Sequence, residues 1–160
     1  MGSIAAQTAA AKDETAIRAL YAQLRDGWSK GSARSFAGPF TEDADFIAFD
    51  GTYCKSRREI ASAHQPLFET WLKGLRLVGE VQSVRFLTPE VAVMYVAGRT
   101  IMRGKSAPAP ERDAIQTLVA INSGDAQSGN RRVSGLWRLR TVHWESGSLN
   151  KISLECSITM

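Results

Sequence analysis

Residues 40–51, FTEDADFIAFDG, mark the place where this chain changes its period. Before them apolar residues recur every three or four positions, and after them runs rich in Val, Ile and Thr dominate. The string holds Glu42, Asp43, Asp45 and Asp50, three of these ahead of an apolar run, and it closes on an Asp50-Gly51 turn. Two readings follow: a buried acid/base site, or a charged turn leading into a short strand over residues 44–51. Thr41, Glu42 and Asp43 belong to the turn, where short polar side chains bond nearby backbone. Within the strand, alternation puts Phe46 and Ala48 on one side and Asp45, Ile47 and Phe49 on the other. Asp45 then either points inward among apolar neighbours or stands at the exposed strand entrance. In the first case burial raises its pKa and fits it for proton transfer.

Upstream, Ile17, Leu20, Tyr21, Leu24 and Trp28 form one stripe of an amphipathic helix, with Asp13 as its N-cap and Gly27 and Gly31 near its end. Residues 1–12 are Ala-rich and read as a tail or an extension of that helix. SARSFAGPF (32–40) is a short helical turn stopped by Gly38-Pro39. Downstream, Ser56 and Glu59 match a capping box that opens a second long helix. Ile60, His64, Leu67, Phe68 and Trp71 are its apolar stripe, and Pro66 interrupts it, predicting a kink beside His64. Four strand-like runs follow: LRLVGEVQSVRFL, VAVMYVAGRTIM, DAIQTLVAIN and VSGLWRLRTVHWE. Residues 147–160 read as a tail or a short edge strand. Helices followed by a run of strands predict an α+β domain over 13–146, with the helices on the concave face of a mostly antiparallel sheet.

Composition narrows the function. At 160 residues, 44% apolar and a net charge of +4, the chain is an ordinary globular protein, long enough for its own core. Arg131, Arg132, Arg138 and Arg140 cluster late, but no aromatic residues interleave with them, so no nucleic-acid partner is expected. No apolar run approaches a membrane span and residues 1–12 lack a signal-peptide pattern, so no membrane partner and a cytoplasmic, reduced setting are expected. Cys54 and Cys156 are too few for a disulfide framework. His64, His143, Asp45 and Cys54 have no metal-ligand spacing, so neither metal nor cofactor is expected.

Several strings carry a resemblance: AIRALYAQLRDGWSKG, FTEDADF before a turn, REIASAHQPLF, IQTLVAIN and LWRLRTVHWE. From about Asp13 to Glu145 the chain resembles the NTF2-like, or SnoaL-like, superfamily, and within it the SgcJ/EcaC group. The resemblance implies a cone-shaped fold in which a strongly bent sheet wraps around the N-terminal helices and leaves an apolar pocket, with two domains paired sheet to sheet as a homodimer. The same scaffold serves isomerases, cyclases, dehydratases and non-catalytic modules, so it names no reaction. Matched against ketosteroid isomerases of this fold, the proton-shuttling aspartate falls on Ala48 and the oxyanion-stabilising tyrosine on Leu24. Neither residue can do that work.

The groups left to carry chemistry are few. His64 lies on the apolar stripe of its helix and titrates near neutral pH, and it is the first candidate with Asp45. The alternative is a core histidine bonded to a backbone carbonyl, such as that of Ser62. Alternation in the last strand puts Trp137, Leu139, Thr141 and His143 on a cavity-lining face and Arg138 and Arg140 on a surface or pairing face. Gln116 can fix a ligand oxygen or make a cross-strand bond. Tyr21, Trp28, Phe46, Phe68 and Trp71 can wall a pocket for a flat apolar ligand or simply fill a core. Tyr95 and Arg99 share a strand face, and Arg99 meets an anionic group or pairs with Glu80 or Glu90. Two functions fit: a cofactor-independent isomerase, cyclase or dehydratase of an apolar, ring-bearing, polyketide-like metabolite, or a non-catalytic ligand-binding or dimerisation module.

Overall fold

In the computed structural model, residues 4–108, 113–122 and 137–146 are described. Helix α1 (Ile4–Ser29) leads into α2 (Ala33–Ala37), strand β1 (Phe40–Ile47), the short β2 (Tyr53–Cys54) and α3 (Arg57–Glu69). Strands β3 (Arg76–Thr88), β4 (Val91–Ile101), β5 (Ala114–Asn122) and β6 (Trp137–Ser146) complete a curled sheet of order β2-β1-β6-β5-β4-β3. The β1–β6 pair is parallel and every other pair antiparallel. The mixed α+β class expected from the sequence is the class observed.

The helices lie on the sheet through the expected stripe: Ile17, Leu20, Tyr21, Leu24 and Trp28 are all buried. Trp28, Phe36, Phe40, Phe46 and Phe68 meet edge-on or tilted, with ring centroids 5.4–6.3 Å apart. Such pairs add to the roughly 1.5–3 kcal/mol each ring gains by leaving water. Gly27 lets α1 and α2 touch: a Cβ there would lie 2.5 Å from Phe36 Cα and 2.6 Å from the Ser35 carbonyl carbon.

Three local expectations are corrected. Asp13 is not an N-cap, because α1 begins nine residues earlier at Ile4. It sits buried in the helix, and its Oδ1 accepts from Trp137 Nε1 at 3.1 Å, pinning the start of β6 to α1. Ser56 caps α3 by accepting from Glu59 N at 3.1 Å, but the Glu59 carboxylate accepts from Lys55 N at 2.8 Å instead of returning to Ser56. The helix also runs through Pro66, whose ring faces solvent, to Glu69. The C-terminal segment 147–160, with Cys156, and Arg131 and Arg132 lie outside the described residues.

Candidate functional site

The acidic string is a strand edge. β1 begins at Phe40, so Thr41, Glu42 and Asp43 are in the strand and not in a turn. Leu139 N donates to Pro39 O at 2.9 Å, which ties that start to the sheet. Ala44 and Phe46 take the inward positions, and Asp45 therefore faces out, with its side chain one-third exposed. Its Oδ1 accepts from Tyr53 Oη at 2.5 Å and its Oδ2 from Arg140 Nη1 at 3.1 Å. Arg140 also binds the Asp43 backbone oxygen and carboxylate, and Arg57 pairs with Glu42. These carboxylates fasten β1 to β6 and α3. Asp45 is not a buried acid or base.

The last strand departs from strict alternation. Val119 pairs with Thr141 but Ala120 pairs with Leu139, so Arg140 is an extra residue, a bulge. Trp137 and Leu139 face inward; beyond the bulge the phase inverts, Val142 becomes buried, and Thr141 and His143 turn outward. His143 is thus an exposed surface residue. Tyr95 is 40% exposed on the outer face of β4, and Arg99 beside it pairs with Asp113 at 3.1 Å, neither Glu80 nor Glu90. Trp71 follows the end of α3 in a turn and is 85% exposed. None of these four lines the interior.

Inside, His64 is buried, with ring centroids of Phe36, Phe46 and Phe68 at 4.6, 5.0 and 5.9 Å. Its Nδ1 lies 2.7 Å from Ile60 O, not from Ser62. A carbonyl only accepts, so Nδ1 carries the hydrogen and Nε2 is left as an acceptor. Burial pushes the imidazole pKa below its ordinary 6.5, and the bond to Ile60 O opposes this only in part. The ring is neutral at pH 7. Because the folded pKa lies below the unfolded one, stability is complete above about pH 6.5 and falls as pH drops below it. His64→Leu should therefore narrow the gap between melting temperatures measured at about pH 7.5 and about pH 5.5 relative to the unmodified protein. An unchanged gap would mean that the imidazole is solvated.

Gln116 and Tyr21 are brought together. Gly79, Gly98 and Ala114 are paired neighbours across β3, β4 and β5, a row of small residues at the inner face of the sheet. The Tyr21 hydroxyl descends from α1 onto that row: a Cβ on Gly79 would sit 2.5 Å from Tyr21 Oη. A Cβ on Gly98 would sit 3.7 Å from Tyr21 Oη and 3.5 Å from Gln116 Nε2. Both side chains are buried, Tyr21 at 2% exposure and Gln116 at 1%. Tyr21 Oη, Gln116 Nε2 and Gln116 Oε1 have no hydrogen-bond partner among the described residues. Leaving such groups unbonded costs about 1–3 kcal/mol each. Burial drives the Tyr21 phenol up to about 12, with the Arg25 guanidinium pulling weakly the other way, so the hydroxyl stays a neutral donor. Arg25 stacks on the Tyr21 ring at 5.9 Å and donates to Gly79 O at 2.8 Å, holding the phenol over its glycine.

Trp28, Phe46 and Phe68 are buried on the aromatic side of this interior. Gly79 and Gly98 were passed over in the sequence, although a glycine inside a strand is itself a signal for close approach of another group. Among the described residues no group of three or more His, Cys, Asp or Glu side chains gathers as a metal site.

No protein-family model matches the chain, and no curated protein matches it. Solved structures do. A Nostoc punctiforme domain of unknown function with a cystatin-like fold is 36% identical, over 91% of this chain and 84% of that one, at a TM-score of 0.76. An NTF2-like protein with a cystatin-like fold from Novosphingobium aromaticivorans superposes at a TM-score of 0.72, with 16% identity over 96% of this chain and 97% of the other. A Shewanella frigidimarina protein proposed to be a ketosteroid isomerase superposes at 0.60, with 20% identity over 81% and 94% of the two chains. The last two likenesses establish the shared fold. The first goes further: this chain and the Nostoc punctiforme domain belong to one family, with the cystatin-like fold of NTF2-like proteins.

Proposed function

We propose that this protein binds a small, uncharged, largely apolar molecule inside its cone, holding one carbonyl or hydroxyl oxygen of it between Tyr21 and Gln116. One observation carries the reading: two buried polar side chains face a common point above Gly98 without partners of their own. A phenol and an amide suit a neutral oxygen, because together they offer donors and an acceptor and no charge. The aromatic wall of Trp28, Phe46 and Phe68 favours an apolar, ring-bearing ligand. This reading favours binding over proton transfer. Asp45 faces away, and His64 is fixed to its own helix.

A thermal-shift screen with neutral cyclic ketones and alcohols tests it. A ligand that raises the melting temperature should lose that effect in both Tyr21→Phe and Gln116→Leu. Equal shifts in all three proteins would overturn the assignment.

Enolisation of a bound ketone is a second reading, favoured by the unprotonated Nε2 of His64 inside the same core. It requires exchange of the ligand's α-hydrogens with deuterated solvent, abolished in His64→Ala while binding persists. The SgcJ/EcaC group and secondary metabolism belong to this reading too. So does a homodimer through the outer sheet face, supported by the half-buried Ile115, Thr117, Val119 and Ile121 beside Tyr95. Arg138, paired with Ile121, lies on that same outer face, while Arg140 is engaged by Asp43 and Asp45. Light scattering should return twice the chain mass at micromolar concentration, and a monomer would refute the pairing.

A further inference from the structure

At one end of the sheet the chain leading into β3 runs beside the chain leaving β4. Arg76 pairs with Ile101, Arg76 Nη2 reaches Lys105 O at 3.5 Å, and a Cβ on Gly74 would lie 3.2 Å from Arg103 Cγ and Cδ. These two segments present Lys73, Arg76, Arg103 and Lys105, all exposed and none in an ion pair among the described residues. Trp71 stands in the turn that carries Lys73, at 85% exposure; Leu67, four residues before it, and Met102, next to Arg103, are each 38% exposed. Glu69, the carboxylate nearest in the chain, is occupied by Gln65 Nε2 at 2.8 Å.

We infer that this end of the molecule docks on an anionic membrane surface, with Trp71 at the level of the headgroups and the four cations on their phosphates. An indole projecting from a turn, exposed among the described residues, suits an interface that is apolar on one side and wet on the other. Cations beside such a residue each add to the attraction of an anionic leaflet, over a range set by salt. The cluster is basic, so its surface is acidic. It is also two adjoining loops and not a groove, which fits a deformable lipid layer better than an extended acidic peptide. Among the described residues no helix is long and apolar enough to cross a membrane, so the contact is peripheral. The expectation of no membrane partner rested on the lack of a spanning run and of a signal-peptide pattern, and neither bears on a peripheral contact.

The test is co-sedimentation of the full chain with vesicles of phosphatidylcholine alone or mixed with phosphatidylglycerol, at low and high salt. Binding is expected to the mixed vesicles only, and to weaken as salt rises. The double substitution Lys73→Glu/Arg103→Glu should lower the partition coefficient about tenfold or more, and Trp71→Ala several-fold. Arg85→Glu, at the far end of β3, should leave it unchanged. Melting curves check that each variant is folded. Absence of binding, equal binding to both vesicle types, or an equal loss in Arg85→Glu would overturn the proposal. So would retention on soluble polyglutamate without vesicle binding, which would assign the patch to an acidic protein.

Discussion

Gly27→Ala is expected to destabilise the protein by about 3 kcal/mol, the upper end of what overpacking one methyl costs. The added Cβ has no room: it would collide with the Phe36 N–H and lie 2.5 Å from Phe36 Cα. Those are backbone atoms, so no side-chain rotation relieves the contact, and α2 must move off α1. Phe36 goes with it, and Phe36 is fully buried against Trp28, Phe46, Phe68 and His64. For a chain of this size the melting temperature should fall by about 6–12 °C. Gly31, four residues past Gly27 at the helix end, has φ 62°, and a Cβ there would meet only Phe68 Cβ at an ordinary 3.9 Å. Gly31→Ala should cost about 1 kcal/mol from its backbone conformation alone. A Gly27→Ala protein as stable as the parent would mean that the two helices do not pack as described.

The second large effect has the opposite sign. Gln116→Leu should stabilise the ligand-free protein by about 1–3 kcal/mol, since it replaces a buried amide lacking partners with an apolar side chain of similar volume. Tyr21→Phe should stabilise in the same direction by a smaller amount, and both substitutions should remove ligand affinity. A core residue that weakens the fold while it serves binding is the signature of a site retained for function. Urea denaturation read by circular dichroism measures this directly. Destabilisation by Gln116→Leu would show that the amide is bonded in the native state.

Much of this was legible in the sequence. The α1 stripe, the Ser56 cap and the Asp50-Gly51 turn, with Gly51 at φ 83° and Thr52 N on Asp50 Oδ1 at 2.9 Å, each follow from local chemistry that tertiary contacts leave alone. The faces of β6 were not legible. One bulge at Arg140 inverts the phase, and a bulge leaves no mark in an alternating string. Asp45 was misplaced for a related reason: its partners Tyr53 and Arg140 are eight and 95 residues away, and only the folded register brings them to it. Trp71 continued the periodicity of α3 in sequence, yet the helix stops at Glu69 and the stripe stops with it. Tyr21 and Gln116 were both named as contacts. That they converge depends on the pairing of Gly79 with Gly98, which sets two glycines from different strands side by side beneath the phenol.

The most direct measurement is crystallographic: the protein soaked in cyclohexanone, with attention to the space above Gly98. The carbonyl oxygen should lie within hydrogen-bond distance of both Tyr21 Oη and Gln116 Nε2, with the ring against the aromatic wall. Finding the phenol and the amide bonded to each other, with the ketone bound elsewhere or not at all, would contradict the account.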